Sequence, residues 1–409
     1  MGDTPISDHR DERAFSGVRI LDFTQVLAGP FAAMQLALLG AEVIKVEQPE
    51  TGDQTRGLMN EGRYPGMSPS FLGMNLNKKS LTLNLNDEAA ISIVKKLVPT
   101  VDVVIENFKS GTMARRGLDY ETLKQIRPDL IYCSVTGYGQ TGAKASDAAY
   151  DGAIQASSGM MSQTGHAETG PTRTGYMPVD MSTALNTAFA ISTALYRKAR
   201  TGKGQHVDVA MMDTAIVMQA AQFSNWLNQG SLIGLRGNAS PTGQPTADVF
   251  PTSDGYIQIT ALRQPQVEIL FRELDIADLL GTSEFATPKD RMRHPQLVVA
   301  AMSEALQEKT TEHWMRQLAP AGVPVAEVRE LPEVPKDPQF EDRNAFVTLP
   351  SPLAEGESIT VAQAGYVMNE DGPRTTSPPP HLGEHTVEVL ESIGYAGDEI
   401  EKLRNAGTV

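Results

Sequence analysis

An α/β fold, with a parallel sheet covered by helices, is the architecture this sequence predicts, and three observations carry the prediction. Short β-branched runs alternate with helical stretches through the first half of the chain, the pattern of strand–helix–strand units. From about Gly230 the texture changes: Gly, Pro, Ser and Thr crowd Gly234–Pro251, and a smaller α+β unit follows to about Val328. The 409 residues, 40% of them hydrophobic, suffice for two domains or for one large domain carrying an insertion.

Taken in order, Val18–Phe23 reads as a strand. Gly29-Pro30 opens an Ala/Leu/Met-rich helix that stops at Gly40, proline suiting a first turn and glycine a terminus. Glu42–Glu47 is the next strand. The pattern repeats with a strand at Ser80–Leu85, a helix at Asp87–Leu97, a strand at Asp102–Asn107, helices to Arg127 and a strand at Leu130–Val135. A long Ala-rich helix covers about Met181–Lys198. After a turn at Thr201–Gly204 come a short strand, Val207–Ala210, and a helix to about Leu227. The expected division is therefore 1–228 for a large unit and 229–328 for a small one. Residues 329–409 then hold a Pro-rich link (Leu331–Pro338), short strands and a closing helical segment after Pro378-Pro379-Pro380. The polar stretch Met1–Arg13 reads as a loose arm.

Composition narrows the function. No apolar run approaches the roughly 20 residues that cross a bilayer, and the N-terminus lacks the apolar stretch of a secretory signal. The single cysteine, Cys133, allows neither an intramolecular disulfide nor a cysteine-built metal site, and its apolar strand predicts a buried structural thiol. A cytoplasmic protein away from membranes is the expectation. The net charge of −15 argues against a nucleic-acid partner, while leaving room for a phosphorylated small ligand wherever cations gather.

Two motif matches are set aside on context. Gly137-Tyr138-Gly139-Gln140-Thr141-Gly142 fits G-x-G-x-x-G after a strand. A dinucleotide fingerprint also needs a helix to open there and a second strand ending in an acid, and Glu168 lies among turn residues instead. A glycine-rich active-site loop containing Gly137 and Gly139 is the better reading. His381-Leu382-Gly383-Glu384-His385 fits H-x-x-E-H, but prolines precede it, Gly383 interrupts it and no histidine follows, so it reads as a helix start. Carboxylates and glycine loops remain as the chemistry on offer. Asp180 stands at the start of the Ala-rich helix and has two readings: an N-cap, or a carboxylate kept ionised, and so nucleophilic, by the helix N-terminus. Local physics alone leaves both open.

A set of segments spread over most of the chain resembles the class III CoA-transferase family, which also contains α-methylacyl-CoA racemases. They are Gly17–Thr24, Ala28-Gly29-Pro30, Leu39–Glu47, Gly52-Asp53 with Arg56, and Asn77–Leu85. They continue with Asp102–Phe108, Arg115, Gly117, Ser134–Gly139, Thr201–Gln205 and Leu382–Thr386. The resemblance implies a Rossmann-like large domain with an inserted smaller α+β domain, in an interlocked homodimer whose site joins the large domain of one chain to the small domain of its mate. Acyl-CoA and a small carboxylic acid would be the substrates, the CoA thioester serving as cosubstrate, with no tightly bound cofactor and no metal. Asp180 falls on the family's catalytic aspartate, which forms an aspartyl-acyl anhydride.

By position, the resemblance assigns CoA binding to Gln25, Val26, Leu83, Asn107, Phe108 and Arg115, with Lys78 and Lys79 as helpers near the phosphates. It places Tyr150, Asp151, Gly137, Gly139, Gly243 and Gln244 around the acyl group. Departures from the oxalate-using members stand at Gln48, Asn86, Leu27 and Asp151, and in the less glycine-rich loop Gly237–Gln244. The alternative activity, α-methylacyl-CoA racemisation, uses a His-Asp pair where this chain carries Tyr150-Asp151. A phenol with an ordinary pKa near 10 is a poor base at neutral pH, so transfer is the expectation.

Overall fold

The computed structural model describes residues 13–59 and 64–409. The expected N-terminal arm lies, up to residue 12, outside them. Contacts divide the chain into two compact units. Unit 1 is Met1–Ser158, Thr174–Ala220 and Pro338–Val409; unit 2 is Gly159–Arg173 and Ala221–Asp337.

Unit 1 is built on β1 (Arg19–Asp22), β2 (Glu42–Glu47), β3 (Lys78–Thr82), β4 (Val103–Glu106) and β5 (Ile131–Thr136). A short hairpin in unit 2, β6 (Gly165–His166) and β7 (Gly170–Pro171), precedes the sixth strand of the sheet, β8 (Gln205–Ala210). The sheet order is β3-β2-β1-β4-β5-β8, with every neighbouring pair parallel. The expected parallel α/β sheet is thus present. Consecutive residues of a strand face opposite sides: Leu21, Ile44 and Val104 enter one core cluster, while Ile20, Val43 and Ile105 enter another. Both faces are covered, which is why these strands read as continuous apolar runs rather than alternating ones. Cys133 is fully buried in the second cluster, and burial pushes its thiol pKa up.

The order reverses between β1 and β4. Chains leaving the C-terminal ends of these two strands diverge to opposite sides, opening a crevice above the sheet. The helix Ala28–Leu38 follows β1, and its alanines allow it to pack closely on the long helix Pro178–Thr201.

Unit 2 carries an antiparallel sheet of β9 (Ala247–Pro251), β10 (Tyr256–Thr260) and β11 (Val325–Glu327), in the order β11-β10-β9. Its core gathers Phe250, Ile257, Ile259, Phe271 and Trp314. In the returning part of unit 1, the hairpin of β12 (Phe346–Pro350) and β13 (Ser358–Ala362) buries Ile359 and Val361 against Met34, Leu38 and Phe71.

Several boundaries differ from the sequence reading, each for a local reason. β3 starts at Lys78 rather than Ser80, because Lys78 is buried and paired inside the fold and so disguises a strand residue as a polar one. The long helix starts at Pro178 rather than Met181. The helix Asp151–Ser157 was not expected at all. The helix start expected at His381–His385 is present, with His385 as the N-cap of Thr386–Ser392.

Gly204 sits where the chain enters β8, and a Cβ there would stand 2.0 Å from the Leu130 carbonyl oxygen. Gly204→Ala is expected to lower stability by about 3 kcal/mol or to prevent folding, since backbone atoms have no room to yield. Gly202 caps the long helix with φ +66 in open space, so Gly202→Ala should cost only about 1 kcal/mol. Urea unfolding of the two variants checks this ranking, and equal losses would contradict it.

Candidate active site

The crevice at the β1/β4 switch point encloses a cavity of about 310 Å³. The loop after β1 lines it from Gln25 to Ala28, the loop after β4 from Asn107 to Ser110, and the end of β5 with Val135, Thr136 and, just past the strand, Gly137. Asn107 ties the first two walls together. Its side-chain oxygen accepts the Gln25 N–H at 2.9 Å, and its amide donates to the Gln25 carbonyl at 2.7 Å. Phe108 is held from below, its N–H donating to Glu106 Oε2 at 2.9 Å. Burial raises the Glu106 carboxyl to about 7. Gly137 is needed for close approach: a Cβ there would lie 2.2 Å from that of Ala149, so the Ala145–Tyr150 wall could not close down on it.

Asp180 faces this cavity from the third residue of the helix Pro178–Thr201. That position excludes the N-cap reading. Met177 occupies the cap and supplies no side-chain bond, and the capping is done by Asp151. Asp151 Oδ2 accepts the N–H groups of Val179 at 2.8 Å and Asp180 at 3.1 Å. Asp151 is only 5% exposed, and Gln155 donates to its other oxygen while accepting from the Thr174 backbone at 3.2 Å. The N-terminus of the long helix is therefore neutralised by a carboxylate from a different helix. The Asp180 side chain is left free for the cavity. Among the described residues, nothing donates a hydrogen bond to it.

The electrostatic consequence corrects a second expectation. Rather than being held well ionised by the helix end, the Asp180 carboxyl is raised from an ordinary 3.8 to about 7, by burial first and by the Asp151 charge second. The favourable end of the helix dipole is already spent on Asp151.

The sequence-expected residues fall into groups. Gln25, Val26, Asn107, Phe108, Gly137, Tyr150 and Asp180 share the cavity wall, with Tyr150 67% exposed. Asp151 stands behind it. Leu83 is 1% exposed within the core, so its side chain is not on the wall. Gly139 turns with φ +86 and donates to Thr136 Oγ1 at 3.0 Å, outside the lining. Arg115 is exposed on the short helix Thr112–Arg115, bonded at 3.0 Å to Thr112 Oγ1. Gly243 and Gln244 lie in unit 2, where Gly243 adopts φ +74 in a turn closed by its N–H to the Ser240 carbonyl.

The lysine expectation fails. Lys78 is buried, bonded to Asp22 Oδ2 at 2.9 Å, the Pro30 carbonyl at 2.8 Å and Asn75 Oδ1 at 3.0 Å. Lys79 pairs with Glu42 at 2.9 Å and Glu388 at 2.7 Å. Neither has a charge to spare. The cation on the cavity wall is Lys109, which the sequence reading passed over although it directly follows Asn107-Phe108.

Among the described residues, no group of three or more His, Cys, Asp or Glu side chains is placed to hold a metal ion. His381 bonds the Pro352 carbonyl and His385 Nδ1 accepts the Ser80 N–H, so the two imidazoles are engaged apart. No helix among the described residues is long and apolar enough to cross a membrane.

The raised Asp180 carboxyl also fixes the sign of a stability effect. Between about pH 3.8 and about 7 the folded chain keeps a proton that the unfolded chain has released, so this group costs more stability as pH rises through that window. Asp180→Asn is therefore expected to raise Tm at pH 8 and leave it nearly unchanged at pH 4. A lower Tm at pH 8 would contradict this account of the site.

The profile of CoA-transferase family III matches residues 15–386. Human succinyl-CoA:glutarate CoA-transferase is 34% identical, over 99% of this chain and 92% of its own. The succinate–glutarate CoA-transferase of Agrobacterium fabrum is 35% identical, over 92% and 95% respectively. Among solved structures, a CAIB/BAIF family protein from Brucella suis superimposes with a TM-score of 0.84 at 34% identity, covering 93% of this chain and 99% of that one.

Proposed function

Because the chain belongs to CoA-transferase family III, we propose that it passes CoA between short dicarboxylic acids through an acyl anhydride formed on Asp180. It is an acyl-CoA:carboxylate CoA-transferase, with a CoA thioester as cosubstrate. Relatives named for CoA transfer leave the racemase alternative unfavoured, as does a cavity lining with no histidine among its described residues.

One observation carries the mechanism: Asp180 presents a carboxylate to the cavity that accepts no hydrogen bond among the described residues, on a helix end held by Asp151. A pKa near 7 leaves a large fraction ionised at neutral pH, and a less stabilised carboxylate is the stronger nucleophile. In the proposed sequence an Asp180 oxygen attacks the thioester carbonyl, the C–S bond breaks and CoA leaves as thiolate. A carboxylate oxygen of the acceptor acid then attacks the Asp180 acyl carbon, and the donor acid departs. Finally the thiolate attacks the acceptor's acyl carbon, forming the new thioester and restoring the Asp180 carboxylate. Water takes no part. The anhydride preserves the activation of the thioester, so the exchange runs without net hydrolysis.

We assign the CoA end of the site to Gln25, Val26, Asn107 and Phe108 on the cavity wall, with Lys109 and Arg115 meeting the phosphates. Arginine and lysine differ there, a planar fork against a point charge. The short dicarboxylate reading of the acids follows the names of the human and Agrobacterium relatives. A homodimer is proposed as well. Leu185, Phe189 and Tyr196 stand 55%, 72% and 65% exposed on the long helix, at spacings of four and seven residues, an apolar stripe that suits a second copy.

Asp180→Ala is expected to retain CoA binding in calorimetry while transfer from succinyl-CoA to glutarate falls by several orders of magnitude. Near-native turnover would end the nucleophile proposal. Arg115→Ala and Lys109→Ala should each raise the KM for acyl-CoA, a charge-assisted phosphate contact being worth about 1.5–3 kcal/mol. The KM for the acceptor acid should barely move. Equal weakening toward a thioester analogue lacking phosphates would assign these two cations a structural role instead.

A further inference from the structure

The wall formed by Gln25–Ala28 contains a backbone conformation that its sequence disfavours. Val26 has φ +72, and among the described residues it is the one β-branched side chain with a positive φ. Left-handed backbone is costly for valine, whose branched Cβ crowds the neighbouring carbonyl. Strain of this kind persists only where the surroundings over-determine it, and it concentrates at functional sites.

The surroundings here are specific. From the Thr24 N–H to the Val26 N–H, the backbone polar groups are held by side chains. Asp22 Oδ1 accepts the Thr24 N–H at 2.8 Å, and Lys45 Nζ donates to the Thr24 carbonyl at 2.6 Å. Asn107 takes both polar groups of Gln25. Asp53 Oδ1 accepts the Val26 N–H at 3.3 Å. The same Asp53 oxygen also accepts from the Thr55 N–H at 2.9 Å and hydroxyl at 2.7 Å, so its position is fixed independently of Val26. Its other oxygen meets Lys45 Nζ at 2.9 Å, with both side chains wholly buried. Lys45 thus touches the strained turn twice, directly at Thr24 and through Asp53 at Val26.

A buried ion pair is weak support for stability, because desolvation consumes most of its attraction. Its location suggests another use. We propose that the buried Lys45–Asp53 pair is a positioning device for the cosubstrate, holding Val26 in its left-handed turn so that the Gln25–Ala28 wall is preformed for acyl-CoA. Neither residue lines the cavity; both act through the backbone of the turn. The proposal rests on the reading of this crevice as the CoA site.

The test is a double-mutant cycle read by calorimetry with CoA and by the KM for succinyl-CoA. In the native background, Asp53→Ala is expected to weaken CoA about tenfold, because an unheld valine falls back to negative φ. In a Val26→Gly background, where the left-handed turn carries little backbone penalty, the same Asp53→Ala change should weaken CoA less than about twofold. In both backgrounds the KM for the acceptor acid should be unaffected. If Asp53→Ala does not fold, Asp53→Asn keeps the shape and an acceptor oxygen. It should then give about a threefold weakening beside valine and none beside glycine. Equal weakening in the two backgrounds would overturn the proposal, since a pair that merely stabilises the fold cannot sense which residue stands at position 26. Asn107→Ala, made in parallel, separates this inference from its premise. Loss of CoA binding there with none at Asp53 overturns the positioning role alone. Loss at neither overturns the reading of the crevice and the proposal together.

Discussion

The carboxylate of Asp151, accepting the first N–H groups of the helix Pro178–Thr201, is the constraint on which the candidate site depends. An uncapped helix end would draw in the nearest acid, which in sequence terms is Asp180 itself, and an aspartate held as a cap is turned away from a thioester and stabilised by the N–H groups it accepts. By supplying the cap from another helix, the fold frees Asp180. The same charge that frees it also helps, after burial, to raise its carboxyl to about 7. One neighbour therefore frees the side chain and adds to the burial that raises its pKa. The arrangement trades stability above neutral pH for a carboxylate less stabilised than an exposed one.

Buried charge recurs one layer below. Lys78 pairs with Asp22, Lys45 with Asp53 and Arg56 with Glu47, all from β1, β2, β3 or the loop that follows β2. Arg56 also lies 3.8 Å over the Phe71 ring. Breaking one partner of such a pair is expensive, whereas building it yields little net stability. The first two pairs reach the loop after β1 and its flanks: Asp22 accepts the Thr24 N–H, Lys45 donates to the Thr24 carbonyl, Asp53 accepts the Val26 N–H and Lys78 donates to the Pro30 carbonyl, while Glu47 of the third pair accepts the Asp53 N–H. The polar interior beneath the sheet's C-terminal edge is thus organised around the shape of that loop.

Much of the fold was legible in the sequence, because a parallel sheet buried on both faces writes its strands as apolar β-branched runs, as at Glu42–Glu47 and Ile131–Thr136. Lys78 was not legible. A lysine reads as solvated, and only its three-dimensional pairing with Asp22 makes it a strand residue and removes it from the phosphate-binding candidates. Asp180 was legible as an interesting carboxylate but not as to its state. Its pKa depends on Asp151, 29 residues earlier in the chain, and on burial, neither of which local pattern encodes. The left-handed Val26 was invisible for the same reason: valine signals strand, and tertiary hydrogen bonds override it. Lys109 could have been found, since it adjoins Asn107-Phe108 just past a strand end at which a crevice was to be expected.

The central claim, that Asp180 carries the acyl group as an anhydride, has a direct isotopic reading. In the proposed sequence one oxygen of the acceptor's carboxylate becomes the bridging oxygen of the anhydride and remains on Asp180 when the thiolate attacks. The tryptic peptide Thr174–Arg197 contains Asp180 as its only acidic side chain, so any label in it has one possible address. Enzyme turned over with succinyl-CoA and glutarate bearing heavy oxygen in both carboxyl groups should, after digestion in ordinary water, yield this peptide enriched in heavy oxygen. An unlabelled peptide from enzyme that has completed many rounds of transfer would mean that the acceptor never exchanged through Asp180, and the anhydride account would be wrong.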